Sequence, residues 1–306
     1  VPAQEGMSSI TYCPHWLPQA QFAGYYAAEE KGFYREAGLN LKIIHPSASV
    51  NAAEYLNNGD ADIISLFLTT AFSHKKAGLD LVNIGQLSQN SALLFVSKKE
   101  KNINKFSDLN GKKIGIWRSG FDEVARTMIK SSNYKVQWVP ILSTVNLFLT
   151  DYLDAMVVMW YNEYDQIIQA GFNEDELNIY FASDYGYNIP EDGLYCLNKT
   201  YVERKTDIEK FVRATFKGWE YVRKNREEAV EMVLKKMNEA HLATNKAHQT
   251  WMLNKVLEMM DPGKKNSEVG ELTEPDFHKT QNMLFEGGYL DKRFSYEEFV
   301  KKVSLK

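Results

Sequence analysis

Along the first half of the chain the spacing of apolar positions alternates between strand-like and helix-like. SSITYC (8–13) reads as a strand, and LNLKIIH (39–45) as another by its alternation. Between them AQFAGYYAAEEKG (20–32) gathers small and apolar residues on one side, carries Glu29, Glu30 and Lys31 late, and meets a natural stop at Gly32. SVNAAEYLNNG (49–59) predicts a short helix closed by Gly59. ADIISLF (61–67) predicts a buried strand, TTAFSHKKAG (69–78) a helix and LVNIGQL (81–87) a further strand. A β-α-β-α-β order implies parallel strands joined by helical crossovers.

The strand LLFVSKK (93–99) runs into KKEKNINKFSDLNGKK, a polar segment that marks a boundary or a solvated loop. After it the rhythm restarts with KKIGIW (112–117), a helix over 120–131, YKVQWVP (134–140), a helix near 143–150 and LDAMVVMW (153–160). A helix over 161–170, LNIYFAS (177–183) and the strand GLYCLN (193–198) follow. Beyond residue 200 the pattern is helical, punctuated by Pro262–Gly263 and Gly287–Gly288. The expectation is an α/β protein of two lobes, each with a mainly parallel sheet flanked by helices. Lobe 1 would hold 1–96 and 196–306 with the helical C-terminal region, and lobe 2 would hold 97–195. Two hinge crossings would join them, with a cleft between.

Composition narrows the function. A net charge of -4 over 306 residues, with no long basic run, argues against nucleic acid. No stretch approaches the ~18–20 apolar residues of a membrane span. VPAQEGMSS at the start has neither a charged n-region nor an apolar core, so no signal peptide is expected in it. Cys13 and Cys196 form no CxxC or Cys/His spacing, so no metal site is expected, and two buried free thiols are preferred to a disulfide. His15, His45, His74, His241, His248 and His278 form neither HxxxH nor HExxH, and GxSxG and GxGxxG are missing. No catalytic constellation, no cofactor and no enzyme activity are expected. His15 alone falls at a predicted strand end.

In open parallel sheets ligands bind beyond the carboxyl ends of the strands. Those ends here carry Pro14 to Gln19, Phe67 to Thr69, Trp117 to Phe121, and Trp160 to Glu163. Aromatic walls with sparse polar anchors suit a small-molecule pocket. Ser119 reads as a helix cap with Asp122 three residues on, or as one side of a ligand site together with Gly120 and Phe121. Asp122 and Glu123 already charge that first turn, which favours a neutral or weakly cationic heterocycle over a strong anion. Glu163 reads either as a first-turn glutamate favouring the helix dipole or as an acceptor for an exocyclic amine.

WLPQAQFAGYYAAEEKGFYREAGLNLKI (16–43) resembles the opening of ABC-importer solute-binding proteins, in the branch for thiamine-pyrimidine precursors, with relatives for sulfonates, nitrate and riboflavin. NNGDADI (57–63), KKAGLDLVNIGQL (75–87), DLNGKKIGIWRSGFDE (108–123) and LDAMVVMWYNEYDQI (153–167) are similar to later family segments. The resemblance implies a type II periplasmic-binding-protein fold, hinge closure on a ligand and delivery to an ABC membrane permease. It implies an aminopyrimidine stacked on Trp16, Trp117 or Trp160, with Tyr161 as another stacking surface, Asn162 serving the turn and Glu163 as acceptor. Gln19, Phe22 and Phe67 join the candidate contacts, and YGYNIPED (185–192) adds Tyr185, Tyr187 and Asp192. A monomer is expected, periplasmic or lipid-anchored at the outer face of the cytoplasmic membrane. The family's pyrimidine-making eukaryotic relative uses a histidine and a cysteine-rich iron motif, whereas QAQFAGYY has no histidine and no cysteine cluster exists. Some binders carry a histidine where Phe22 stands. The alternatives are an enzyme of pyrimidine synthesis, and a binder of sulfonate or riboflavin.

Overall fold

The strand-and-helix order read from the sequence is realised with one reversed strand in each of two five-stranded sheets. The structure, a computed structural model, describes residues 6–47, 50–117, 121–142, 144–263 and 269–305. These group into two compact units, the first from 1–89, 191–274 and 294–306, the second from 90–190 and 275–293.

In the first unit β1 (Ser8–Cys13), β2 (Leu39–Ile43), β3 (Ile63–Phe67) and β4 (Leu81–Gln86) run in one direction. Their crossovers are α1 (Ala23–Glu30) with α2 (Phe33–Glu36), then α3 (Ala52–Asn58), then α4 (Leu68–Lys76). A three-residue 3-10 turn, Ala20–Phe22, leads into α1. Asn51 caps α3 by accepting the Glu54 N–H, and Gly59 closes it at φ 79°, a left-handed conformation that glycine adopts without strain. Into this sheet comes β10 (Asp192–Leu197), antiparallel to both β3 and β4, giving the order β2-β1-β3-β10-β4. The core beside it is aromatic. Tyr12 stacks on Tyr25 at 4.4 Å between ring centroids, and Tyr34 stacks on Phe211 at 5.3 Å.

The second unit contains β5 (Leu93–Lys98), β6 (Lys113–Trp117), α5 (Glu123–Ser131), β7 (Gln137–Ile141), α6 (Asn146–Leu149), β8 (Ala155–Met159), α7 (Glu163–Gln169) and β9 (Leu177–Phe181). The sheet order is β7-β6-β8-β5-β9, with β5 antiparallel to both its neighbours. The tail folds as α8 (Asn198–Glu203), α9 (Lys205–Lys224), α10 (Arg226–Glu239), α11 (Lys246–Met259), α12 (Glu274–Gly287) and α13 (Tyr296–Phe299).

Two expectations are corrected. The boundaries 1–96/97–195/196–306 cut through β5 and β10, whereas β5 belongs whole to the second unit and β10 whole to the first. The polar stretch after β5 is a loop inside the second unit, anchored by buried Ile103, Phe106 and Leu109. The tail does not stay with the first unit either. Residues 275–293 join the second, where Lys130 Nζ donates to the Gly287 carbonyl at 3.1 Å and Lys279 Nζ to that of Asn188 at 3.2 Å. The chain therefore passes between units four times, not twice.

Candidate functional site

Each sheet presents aromatic and titratable residues along the edge where its parallel strands end. In the first unit this edge collects Phe67, the last residue of β3, and Asp192, the first of the reversed β10, paired in register. His15 follows β1 by two residues. The Asp192 backbone is fixed, its carbonyl accepting from Leu87 N at 2.8 Å, Ser88 N at 3.1 Å and Gln86 Nε2 at 2.9 Å. The 3-10 turn that carries Gln21 and Phe22 is held by α11, since Ala20 N donates to Gln249 Oε1 at 2.7 Å.

The side chains form one network. His15 Nδ1 meets Ser65 Oγ at 2.8 Å, and the His15 backbone N–H donates to the same oxygen at 3.1 Å. Gln21 Nε2 donates to Asp192 Oδ2 at 2.7 Å and stands 3.4 Å from His15 Nε2. Gln19 Nε2 donates to Gln21 Oε1 at 2.6 Å, which fixes the orientation of the Gln21 amide. Asp192 Oδ1 lies 3.7 Å from His15 Nε2, too long for a hydrogen bond, and has no hydrogen-bond partner. Rings flank the imidazole: Phe67 at 4.7 Å, and Phe22 edge-on at 5.4 Å. Burial pushes the His15 pKa down, with the Asp192 charge opposing it. Burial pushes the Asp192 pKa up, with His15 and Gln21 opposing it. Trp16 is exposed, and its carbonyl is met by His45 Nδ1 at 2.8 Å.

In the second unit the edge holds Trp117 at the end of β6, Met159 at the end of β8 with the turn 160–162 beyond it, and Phe181 at the end of β9. Glu163, buried at 5% exposure, is the hub. Its Oε1 accepts from Trp117 Nε1 at 3.1 Å and Asn162 Nδ2 at 3.3 Å, and its Oε2 accepts from Met159 N at 3.0 Å. Much of its acceptor capacity is therefore spent on pinning the Trp117 indole and closing the turn, which departs from the expectation of a carboxylate standing ready for an amine. Trp160, half-buried, donates its backbone N–H to Ala92 O at 2.8 Å and sets its ring edge-on to Phe181 at 5.2 Å. Tyr161 is buried, so Trp160 has the more accessible ring of the two. Phe121 is buried at a positive φ of 61°, its ring 6.4 Å from Trp117. Ser119 and Gly120 lie outside the described residues. At the start of α5 Asp122 pairs with Arg126 instead of capping the helix.

Among the predicted contacts, Gln19, Phe22, Phe67 and Asp192 come together in the first unit, and Trp117, Phe121, Trp160, Tyr161, Asn162 and Glu163 in the second. Tyr185 is placed elsewhere. Its ring packs on Phe106 at 4.5 Å, in a group with Phe95, Tyr134 and Tyr180, which ties it to the unit's core. Tyr187 is half-buried, with its backbone N–H on the Ala182 carbonyl. Gln21 and Ser65 are absent from the contacts the sequence predicts, and His15 stands there only as a strand-end residue. Ser65 sits within an apolar strand, and Gln21 meets Asp192 across 171 residues, so neither gives a local signal. Cys13 and Cys196 are buried free thiols, and burial pushes Cys13 up to about 12. Among the described residues no cluster of His, Cys, Asp and Glu could hold a metal, and no helix is long and apolar enough to cross a membrane.

The family described as NMT1/THI5 like matches this chain over residues 19–229. The chain is similar to the formylaminopyrimidine-binding protein of Halalkalibacterium halodurans, 21% identical over 84% of this chain and 79% of that one. It is also similar to the riboflavin-binding protein RibY of Chloroflexus aurantiacus, 24% identical over 78% and 70%. The periplasmic aliphatic sulphonate binding protein SsuA from Escherichia coli superposes with a TM-score of 0.73 over 98% of this chain and 94% of that one, at 13% identity. That likeness identifies the periplasmic-binding-protein fold.

Proposed function

Because the chain belongs to the NMT1/THI5-like family, we propose that it is the solute-binding component of an ABC importer and captures a small, flat, amino-bearing heterocycle of the aminopyrimidine class. It would work outside the cytoplasmic membrane, periplasmic or lipid-anchored, and hand its ligand to a permease. The observation that carries this reading is the chemistry of the two sheet edges. Rings line them, and the carboxylates Asp192 and Glu163 stand among those rings. Such an edge repels a sulfonate and welcomes a neutral or protonated ring with N–H donors. Trp117, fixed through its indole N–H, offers a pre-ordered stacking surface, and each stacked ring contributes about 0.5–1.5 kcal/mol beyond its burial. The similarity to a formylaminopyrimidine-binding protein supports the ligand class. The similarity to a riboflavin-binding protein keeps a larger flat ligand as the rival reading.

The deciding experiment is a thermal-shift panel of aminopyrimidines, thiamine, flavins and alkanesulfonates, followed by calorimetry on the hits. Aminopyrimidines should raise the midpoint and sulfonates should not, and Glu163→Gln, whose single acceptor oxygen cannot take the place of both carboxylate oxygens toward Trp117 Nε1 and Met159 N, should weaken the hit. A response to flavins alone, or to sulfonates, would overturn the proposal.

A further inference from the structure

We propose that Asp192, with His15 beside it, is the acceptor that selects a ligand amino group. This rests on the ligand class proposed above, and moves the selection of the amine away from Glu163.

Three observations lead there. The Glu163 carboxylate is engaged by three internal donors, from Trp117, Asn162 and Met159. Asp192 differs. Gln21 takes Oδ2, while Oδ1 has no hydrogen-bond partner although the residue is only 8% exposed. An unpaired buried carboxylate oxygen is costly, and its retention calls for a purpose. The third observation is the imidazole. The Gln21 amide nitrogen, oriented by its bonds to Asp192 and Gln19, faces His15 Nε2, so Nε2 is an acceptor and the ring proton sits on Nδ1, toward Ser65. Oδ1, unpartnered, and Nε2, reached only by the Gln21 amide at 3.4 Å, then face each other at 3.7 Å. A primary amino group set to one side of the pair, at hydrogen-bond distance from both, can give one hydrogen to Oδ1 and the other to Nε2 in place of the long Gln21 contact.

The surroundings suit a flat ring. Phe67 and Phe22 flank the imidazole, and the His15 and Asp192 side chains are 10% and 11% exposed, although Oδ1 itself is covered. The backbone of Asp192 is held by three donors, so the acceptor is positioned before any ligand arrives.

The test compares 4-amino-2-methylpyrimidine with 2-methylpyrimidine by calorimetry, on the wild-type protein, Asp192→Asn and His15→Phe. The wild type should prefer the amino compound. Asp192→Asn should weaken it by about tenfold or more and leave the ring without the amine nearly unchanged. The new side-chain amide can donate to His15 Nε2 and fill the gap, so the thermal midpoint of ligand-free Asp192→Asn should match or exceed the wild type. His15→Phe should erode the same preference by removing the second acceptor. An amino preference that survives both substitutions, or a loss of both compounds alike, overturns the assignment of Asp192 while leaving the ligand class standing. A wild type that binds neither compound overturns the ligand class and this assignment with it.

Discussion

Burying an imidazole makes its proton costly, and the fold does this at three places. His15, His45 and His74 all have pKa values below the ordinary 6.5, each first through burial. Asp192 opposes the shift at His15, the Trp16 carbonyl at His45 and Glu54 at His74. In the unfolded chain these rings protonate near pH 6.5, and in the folded chain only at lower pH. The unfolded state therefore binds more protons in that window, so stability is fully present above about pH 6.5 and falls as the pH drops toward the folded values. His15→Gln should remove up to about 1.4 kcal/mol per pH unit from that acid-side slope, read from urea unfolding between about pH 7.5 and 5. A slope identical to the wild type would refute the buried neutral imidazole. Asp192, held above its usual 3.8, acts in the opposite sense: its share of stability is lost as the pH rises through its folded value. At this scale the aromatics and Glu163 were legible, because strand ends can be found from the apolar pattern. The pairing of His15 with Asp192 was not, since the two residues meet only when β10 enters the sheet beside β3.

At the scale of elements, the helix that covers the first sheet lies unusually close to its neighbour. A Cβ on Gly218, in α9, would lie 2.2 Å from the carbonyl oxygen of Gly24 and 2.7 Å from the Ala28 Cβ, both in α1. A Cβ on Gly24 would meet the Trp219 ring at 2.3 Å. In an isolated helix Gly→Ala stabilises by about 1 kcal/mol. Here the sign reverses, because backbone must move: Gly218→Ala should cost at least about 1–3 kcal/mol, measured by urea or thermal unfolding. A neutral or stabilising result would mean that the helices can separate freely. The elements were largely legible, including the strand 193–198 that became β10. Their direction was not. Apolar periodicity shows that LLFVSKK and GLYCLN are buried strands, but orientation is set by the path of the chain and leaves no trace in the local pattern.

Across the molecule, connectivity decides what can fold alone. The first unit is made of three chain segments, and β10 occupies a place between β3 and β4 that no earlier segment fills. A chain ending at residue 190 contains both flanking strands yet lacks the strand that joins them. It should fail to form the first sheet, seen as lost dispersion of amide NMR signals from β3 and β4. Native-like signals from those strands in the fragment would contradict this. The two-unit plan was legible from the restart of the strand–helix rhythm. The third segment was not, because a helical tail gives no local sign of which sheet it serves.

The late arrival of β10 also has a meaning in time. Gln86 and Asp192, bonded in the finished sheet, are 106 residues apart. At about 5–20 residues per second of synthesis, that interval lasts about 5–20 s. For that long the apolar strands β3 and β4 have emerged without their partner, each with an open hydrogen-bonding edge of the kind that pairs with foreign strands. The sheet of the first unit therefore closes only after the main segment of the second has been made.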